Sequence, residues 1–390
     1  MHALKSIKQR YSPEPNLLNM MNTFRKMVNY CIRTGLEHNK TSMKSLSLLC
    51  YPMLKEYEID SRYKLCAISR AAGILRNYRK LKRRHEVRKQ PYCTRPVLIT
   101  CYGLKIKDGY LHMPSKIKIP LNKHTLQVLS DPTIEMRSVT INDESLNIAI
   151  MKNVEPMECT GIVGLDRNLD NVTMVDTEGN NTEYDIMRKA TEIKAKCKQV
   201  KSRFIRNDVS IRRILFKKYG GLEKNRVLWI IHNVSKKIIE HARQNRMMIA
   251  MEDIKGIRKL YRKGNYQGRR YRAKMNSWSY YELQRQIQYK AAWEGVPIIY
   301  VSPWGTSSKC SRCGDRMFTE ENRVLRCASC DLCIDRDLNA ARNILAKACE
   351  KRALRFRAVG LPDEAMMVER SQQELIHRVD GSQSRHQTKT

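Results

Sequence analysis

No stretch of this sequence is apolar for the length that a membrane span requires, and residues 1–11 lack the apolar core of a secretory signal. The first absence argues against a protein threaded through a bilayer by helices. The second argues against export by such a signal. We therefore expect no membrane partner and an intracellular location, either cytoplasmic or associated with the nucleoid.

Acidic residues are also scarce: 39 Asp and Glu stand against 74 Lys and Arg, which gives a formal net charge of +35. Self-repulsion on that scale opposes a compact fold unless a polyanion is bound. Basic residues recur in every region, and nucleic acid is the polyanion that gains from phosphate neutralisation and counterion release. The alternative is a basic but solvated surface, as in a ribosomal or membrane-peripheral protein.

A regular disulfide pattern is missing as well. The 13 cysteines are odd in number, most are isolated, and five lie between residues 310 and 333. This distribution argues against a disulfide scaffold and indicates a reducing compartment with one metal site.

That metal site is a pair of Cys-x-x-Cys motifs separated by thirteen residues, typical of a zinc ribbon. Zinc takes four tetrahedral ligands, and each motif supplies two thiolates from one turn. A closed four-cysteine shell leaves no position for a reactive water, so the zinc is expected to be structural. The ligands are Cys310, Cys313, Cys327 and Cys330, with Cys333 as a spare that could replace Cys330.

The amino-terminal half combines helical and strand patterns in a chain long enough for two or three domains. Residues 4–10 alternate like an edge strand, and 17–38 and 61–88 have helical spacing. Short β-branched runs between residues 97 and 150 predict a small β-barrel or sandwich that the 4–10 strand joins.

Residues 76–89 are crowded with Lys and Arg. They form either a solvated helix face or a helix that follows a nucleic-acid backbone. On the second interpretation the contact residues include Arg79, Lys82 and Arg83.

Three acids stand at the ends of predicted elements. Buried-strand patterns at 161–166 and 247–251 end on Asp166 and Glu252, and Asp337 lies at the start of an Ala-rich helical pattern. Converging carboxylates are the hard oxygen ligands that two Mg²⁺ ions need for phosphodiester hydrolysis, in which one ion activates the water and the other stabilises the leaving 3′ oxygen. Each acid also has a structural alternative as a surface or capping residue, and Asp335 fits the N-cap of the helix near Asp337.

Further helices are predicted at 188–218 and 225–245, and again at 278–293 before a strand at 296–301. Between them, residues 255–274 hold nine Lys or Arg interleaved with Tyr and Gly. We interpret this stretch as a flexible substrate-contacting loop, the alternative being a disordered surface loop. Its proposed contact residues are Arg262, Lys263, Arg269, Arg270 and Arg272.

Four segments carry a resemblance to a known family: GIVGLDRN, AMEDIKGIR, WSYYELQRQIQYKAAWEGVPIIYVSPWGTSSKCSRCG and DRDLNAARNIL. In this order, over residues 161–345, they resemble the TnpB family of transposon-associated, RNA-guided nucleases, which are akin to type V CRISPR effectors.

The resemblance implies a multi-domain α+β protein in which a RuvC-like nuclease domain of the RNase H fold carries a zinc-ribbon insert. It also implies an amino-terminal wedge β-barrel interrupted by a helical recognition domain. The expected ranges are 1–12 and 96–157 for the barrel, 13–95 for the recognition domain, 158–305 and 331–355 for the nuclease domain, 306–330 for the ribbon, and 356–390 for a partly disordered tail.

Carried over to this chain, the family's three metal-binding catalytic acids fall on Asp166, Glu252 and Asp337, and its zinc ligands on the four cysteines named above. Asn339 would orient the start of the helix. The chain departs from the family pattern at Asp331 and Arg167, where glycine is usual, and neither change removes a catalytic group.

The resemblance therefore implies a metal-dependent DNA endonuclease with guide RNA, Mg²⁺ and structural Zn²⁺ as cofactors, target DNA as partner, and a monomer as the favoured state. One rival is a nuclease-inactive RNA-guided regulator or transposition accessory protein, against which the complete acid set counts. Another is a guide-free transposase.

Overall fold

The computed structural model describes residues 2–85, 89–206, 208–254, 256–257, 261 and 266–358, except the side chains of 186 and 353–358. The chain divides into two compact units, residues 2–153 and the residues from Val154 onward. No helix among the described residues is both long and apolar enough to cross a membrane.

The first unit alternates between strands and helices. Its elements are β1 (His2–Arg10), α1 (Pro15–Glu37), α2 (Met43–Leu54), α3 (Ser61–Arg83), β2 (Leu98–Thr100), β3 (Lys105–Lys107), β4 (Tyr110–Met113), β5 (Ile117–Pro120), α4 (Lys123–Leu129), β6 (Ile134–Ile141) and β7 (Ser145–Asn153).

Two antiparallel sheets form in this unit, one of order β1-β7-β6-β2 and one of order β3-β4-β5. Strand β1 pairs with β7 along its full length, from His2 opposite Asn153 to Arg10 opposite Ser145. The prediction that the first strand joins the later β-rich region is confirmed. Closure of these strands into a wedge barrel stays a prediction.

Two short helices in this unit were not predicted. Both begin at a polar N-cap: Ser42 accepts a hydrogen bond from the Ser45 amide at 3.1 Å, and Asn122 accepts one from the Thr125 amide at 2.8 Å. Side-chain acceptors of this kind satisfy amides that a helix start leaves unpaired. The caps were present in the sequence as a signal. An apolar stripe accompanies the cap of α2, where Leu46, Cys50 and Leu54 are buried at four-residue intervals, whereas α4 is only seven residues long.

The second unit contains the remaining elements. They are β8 (Gly161–Arg167), β9 (Val172–Asp176), β10 (Asn181–Glu183), α5 (Ile186–Arg203), α6 (Val209–Gln244), β11 (Met247–Glu252), α7 (Arg269–Ser277), α8 (Tyr280–Glu294), β12 (Ile298–Val301), β13 (Met317–Glu321), β14 (Val324–Cys327), β15 (Cys333–Asp335) and α9 (Arg336–Ala358).

A five-stranded mixed sheet of order β10-β9-β8-β11-β12 organises this unit, with β8, β11 and β12 parallel. Side chains alternate across it, so β8, β9, β11 and β12 each contribute to two apolar clusters. One cluster joins the sheet to α5, α6 and α8, and the other joins its opposite face to α9. The sheet is therefore covered on both faces, which is why β8 and β9 are buried at every position.

The predicted boundary between the helices at 188–218 and 225–245 is wrong. The first helix, α5, ends earlier, at Arg203, and α6 begins at Val209. Its N-cap is Asp208, whose carboxylate accepts a hydrogen bond from the Ser210 amide at 2.7 Å. The sequence interpretation had left residues 219–224 between the two helices, and this gap contains Gly220 and Gly221. Each costs a helix about 1 kcal/mol relative to alanine, and the packed stripe that follows them in α6 outweighs that cost.

The predicted flexible loop at 255–274 is also wrong over its last part, where α7 begins at Arg269. The segment after Gly268 contains neither glycine nor proline and is rich in helix formers. The helix predicted from residue 278 begins instead at Tyr280. At the other end, α9 extends to Ala358, past the predicted start of the tail at 356, and the rest of that tail lies outside the described residues.

Candidate metal centres

Two of the predicted acids lie at the carboxyl ends of neighbouring parallel strands. Leu165 of β8 is in register with Met251 of β11, so the next residues, Asp166 and Glu252, stand beside each other at the sheet edge. Even-numbered residues of both strands face α9, as Ala250 shows by its place in the cluster with that helix. The two carboxylates therefore share the α9 face.

The third acid is on that helix. Asp337 lies in the first turn of α9 and is 3% exposed. The helix packs closely against β8: a Cβ atom at Gly164 would lie 2.5 Å from the Ala341 carbonyl oxygen and 2.8 Å from the Leu345 nitrogen. Only glycine allows this approach, which brings the helix start to the strand ends.

We expect Gly164→Ala to push α9 away from the sheet, because its methyl group would meet backbone atoms that cannot rotate aside. Overpacking of this kind typically costs about 1–3 kcal/mol, and a thermal denaturation series measures it. The matched control is Gly220→Ala, where nothing lies within 4 Å of the new Cβ. There we expect unchanged or slightly raised stability. Equal stability of the Gly164→Ala and wild-type proteins would contradict the close contact.

Burial and mutual repulsion set the charge state of the cluster. The pKa of Asp166, which is 7% exposed, is raised to about 7, first by burial and next by the charge of Glu252, with Asp337 adding to the effect. The Asn168 amide, which donates to the Asp166 carboxylate at 2.8 Å, opposes the shift. A bound cation would stabilise the ionised form of such an acid, because it offsets the repulsion between carboxylates that burial strengthens.

This shift predicts a pH dependence of stability in magnesium-free protein. Between the unfolded pKa near 3.8 and the folded pKa of about 7, the folded state binds more protons, so the free energy of unfolding falls as pH rises. At about 1.36 kcal/mol per pKa unit the full decline is roughly 4 kcal/mol. Chemical denaturation from pH 5 to 8 covers about two of these pKa units, so it should record roughly 2.7 kcal/mol of the decline. The comparison is Asp166→Asn, which lacks this titration. A wild-type curve that parallels the variant's would contradict the raised pKa.

Two groups contact the other two acids and were not predicted from the sequence. The Thr306 hydroxyl lies 2.5 Å from Glu252 Oε1 and 2.8 Å from the Pro303 carbonyl oxygen, and its single hydrogen can serve one of these acceptors at a time. The Arg323 guanidinium forms an ion pair with Asp337. Arg323 comes from the β13–β14 turn of the ribbon, and no local signal in the sequence places that turn beside α9.

Arg167, where the family usually has glycine, joins the two strand ends from the opposite face. Its side chain is 2% exposed and donates to the Glu252 carbonyl oxygen at 2.7 Å and to Gln284 Oε1 at 2.8 Å. Burial lowers its pKa, while the charge of Glu252 raises it. This side chain holds β8, β11 and α8 together directly behind the acids.

Unsatisfied oxygen atoms follow Asp166 along the chain, on the connection between β8 and β9 and at the start of β9. Asp170 Oδ1, Asn171 Oδ1 and Thr173 Oγ1 are buried and have no hydrogen-bond partner among the described residues. The Asn171 amide nitrogen nevertheless donates to Asp337 at 2.9 Å. Buried oxygens without donors, next to three carboxylates, match the donor set of a hydrated magnesium ion.

The ligand atoms of the three acids are not grouped as closely as those of a closed metal site. In the part of the chain that the structure describes, only the four ribbon cysteines have all their ligand atoms within 4.8 Å of one another. The three acids converge without forming such a group.

The cysteine cluster fits zinc. The Sγ atoms of Cys310 and Cys330 are 3.6 Å apart and those of Cys313 and Cys327 are 3.4 Å apart. Tetrahedral zinc with Zn–S bonds of about 2.3 Å requires sulfur atoms roughly 3.8 Å apart. Cys333 lies outside this group, exposed, with its Sγ 3.6 Å from Glu320.

The pKa shifts differ among the thiols: burial raises the pKa of Cys330, whereas a hydrogen bond with the Asp315 backbone opposes a rise in the pKa of Cys313 that hydrogen bonds with the other thiols produce. Burial opposes ionisation of Cys327, but hydrogen bonds from the Cys313 thiol and from the Ser329 and Cys330 amides outweigh it and lower its pKa to about 7. A lowered thiol pKa favours the thiolate that zinc binds.

The two Cys-x-x-Cys turns, called knuckles here, have the same backbone geometry. Gly314 and Asp331 each follow the second cysteine of a pair, with φ of +82° and +54°, and each amide donates to the first cysteine's carbonyl oxygen at 3.0 Å. Aspartate is one of the few residues that tolerate this left-handed conformation. The departure from glycine at 331 therefore leaves the knuckle geometry intact.

Asparagine side chains tie the ribbon to α9. Asn339, fully buried, accepts from the Ser311 amide at 2.9 Å and donates to the Lys309 carbonyl oxygen at 2.8 Å, while Asn343 reaches Lys309 and Thr306 carbonyls at 2.8 Å. Asp335 accepts from the Asp337 amide at 2.8 Å, which confirms its predicted role as the N-cap. The cysteine cluster thus sets the position of the helix that carries Asp337.

The proposed nucleic-acid contacts lie on two helices, α3 of the first unit and α7 of the second. Arg79, Lys82 and Arg83 are exposed on the last turns of α3. On α7, Arg269 and Arg270 are exposed and Arg272 is half-buried, donating to the Gln267 carbonyl oxygen. Arg262 and Lys263 lie outside the described residues.

Comparison with known proteins adds three findings. Residues 280–344 match the family described as "Cas12f1-like, TNB domain". The TnpB-like protein MJ0751 of Methanocaldococcus jannaschii is 30% identical over 233 residues, which are 58% of this chain and 83% of that protein. The CRISPR-associated endodeoxyribonuclease Cas12f1 of Sulfoacidibacillus thermotolerans is 34% identical over 125 residues, 31% of this chain and 27% of that protein.

A similar fold occurs in the solved Cas12f1–sgRNA–target DNA complex. The TM-score is 0.60 at 13% sequence identity, over 85% of this chain and 83% of that one. At this identity the likeness concerns the fold alone. It agrees with a mixed α+β architecture.

Proposed function

This chain belongs to the TnpB-like family, and on that premise we propose that it is an RNA-guided DNA endonuclease of transposon origin. The observation that carries the proposal is the convergence of Asp166, Glu252 and Asp337 at the start of α9, two from strand ends and one from the helix. A RuvC-like nuclease domain of the RNase H fold accounts for that arrangement. The name of the second relative, an endodeoxyribonuclease, supports the same reaction.

The three carboxylates would hold Mg²⁺, and the unpaired oxygens of Asp170, Asn171 and Thr173 would accept hydrogen bonds from its bound waters. Bound Mg²⁺ supplies an activated water and stabilises the departing 3′ oxygen. Because the pKa of Asp166 is raised to about 7, protons compete with the ion at this carboxylate below neutral pH.

Arg323 has a second part in this proposal. Its guanidinium forms an ion pair with the Asp337 carboxylate. A cation that takes over Asp337 would leave the guanidinium able to donate to a phosphate oxygen of the strand being cut. Thr306 keeps one Glu252 oxygen in place while the other remains available.

The four ribbon cysteines would bind Zn²⁺ in a structural role. Their shell is closed, so they take no part in hydrolysis. Through Asn339 and Asn343 they fix the start of α9 and hence Asp337.

Sequence recognition is assigned to guide RNA pairing with target DNA. The chain then needs mainly backbone contacts, which the net charge of +35 supplies without reading bases. The exposed Arg79, Lys82 and Arg83 on α3 and Arg269 and Arg270 on α7 are the proposed contact residues.

The test is to sequence RNA that copurifies with the protein and to incubate the complex with matched DNA, a library of flanking sequences and Mg²⁺. We expect cleavage that requires both the matching guide and the metal. An RNA-bound complex that cuts no member of the library would identify a nuclease-inactive regulator. Cleavage that persists without RNA would identify a guide-free nuclease.

A further inference from the structure

We propose that a cleft in the first unit, here called the tyrosine cleft, binds an unpaired nucleotide of the nucleic-acid partner. The cleft has a volume of about 840 Å³, and its walls include Arg25, Tyr30, Arg33, Tyr57 and Tyr92. That volume lies within the range of small-molecule sites, about 300–1,000 Å³. The inference rests on the proposed function only in taking nucleic acid as the partner.

Helix α1 forms one wall because its two faces differ. The residues toward the core, such as Phe24 and Cys31, are fully buried. Arg25, Asn29 and Arg33 follow at four-residue intervals, which places them on a common face.

The opposite wall is fixed by hydrogen bonds to the backbone. Asn29 clamps Cys93 in both directions, donating to its carbonyl oxygen at 3.0 Å and accepting from its amide at 2.8 Å. Arg25 donates to the Thr94 carbonyl oxygen at 3.0 Å. The segment that carries Tyr92 is therefore held in place across the cleft.

The cleft carries excess positive charge. Arg25, Lys26 and Arg33 line it together with one acid, Glu37. Within the described part of the chain, none of these four side chains forms an ion pair. Cations without an acid partner attract a polyanion, and the concave wall concentrates that attraction.

The tyrosines offer ring surface. Tyr92 is 69% exposed, Tyr30 and Tyr57 are half-buried, and the Arg33 guanidinium lies 5.9 Å from the centre of the Tyr30 ring. Tyr63 of the same unit shows the contrasting structural role: it is fully buried and donates to the Pro114 carbonyl oxygen at 3.0 Å. Exposed rings beside cations are the means by which proteins stack unpaired bases.

An acidic peptide would meet the same charges, but it has no base to stack on the rings. The tyrosines therefore favour a nucleotide, from either RNA or DNA. Stacking contributes about 1–3 kcal/mol per base, so loss of one ring should weaken binding about 5- to 150-fold.

The experiment uses the full-length protein, stripped of nucleic acid at high salt, and fluorescein-labelled single-stranded RNA and DNA oligonucleotides of one sequence in magnesium-free buffer. We expect Tyr92→Ala to weaken binding of at least one oligonucleotide about 5-fold or more, and Tyr92→Phe to preserve it. The two oligonucleotides distinguish the source of the nucleotide. Oligonucleotides carrying 4-thiouridine or 4-thiothymidine should crosslink to peptides containing Tyr30, Tyr57 or Tyr92.

The matched control is Tyr110→Ala, which removes a 44% exposed ring on β4 of the same unit, outside the cleft. Polyglutamate serves as the peptide probe. Equal losses in Tyr92→Ala and Tyr110→Ala, no loss in Tyr92→Ala, or an equal loss for polyglutamate would each overturn the proposal. Because no cleavage is measured, the binding result could still be interpreted if the nuclease proposal failed.

Discussion

Asp166→Asn should reduce cleavage of guide-matched DNA by more than about 100-fold, the upper cost of losing even an outer partner of a metal ligand. The asparagine keeps the size of the side chain but removes the charge that would hold Mg²⁺. It also removes a charge that burial, and next the repulsion by Glu252, disfavour, as the raised pKa of Asp166 indicates. The magnesium-free fold should therefore become more stable rather than less. Cleavage assays and thermal denaturation of the same preparation measure both effects.

Guide RNA binding should remain, because the change lies at the sheet edge beside α9. Glu252→Gln and Asp337→Asn should show similar losses, and combining them with Asp166→Asn should add little, since the acids act as one unit. The control is Glu178→Gln, an exposed acid on the turn after β9. Cleavage that persists in Asp166→Asn would show that the acids are wrongly assigned.

Cys327→Ser should remove bound zinc and abolish cleavage together. Cys327 is fully buried in the ribbon's apolar cluster, and a three-thiolate remnant leaves zinc one ligand short. Loss of the metal frees the ribbon, and with it the Asn339 and Asn343 contacts that position α9. Metal analysis by mass spectrometry and the cleavage assay measure the two losses.

Cys333→Ser is the matched control, because this thiol lies next to the cluster but outside it. It should keep both zinc and activity, whereas Cys330→Ser should lose them. The reverse result for these two variants would show that Cys333 is the fourth ligand.

The strand-end acids could be predicted from the sequence because apolar runs indicate buried strands, and an acid at the end of such a run is unusual. The register of Leu165 with Met251 then brings Asp166 beside Glu252, as a parallel sheet requires. Asp335 was predictable as an N-cap because capping depends on residues only two or three positions apart.

Arg323 and Thr306 were not predictable in the same way. Each lies in a loop or turn, and each reaches its acid only after the ribbon packs against α9. The break after Arg203 escaped prediction for a related reason. The sequence interpretation left residues 219–224 between two helices, but burial of the later α6 residues decides the outcome.

Location of a bound divalent cation is the most direct test of the nuclease site. Crystals grown with Mn²⁺ in place of Mg²⁺ would locate it by anomalous scattering. We predict a peak in direct contact with the Asp166 carboxylate and with Glu252 or Asp337, at roughly the 2.1 Å of a Mg–O bond, and a separate zinc peak among the four cysteines. Zinc at the cysteines with no manganese at these acids, or manganese bound elsewhere, would contradict the account.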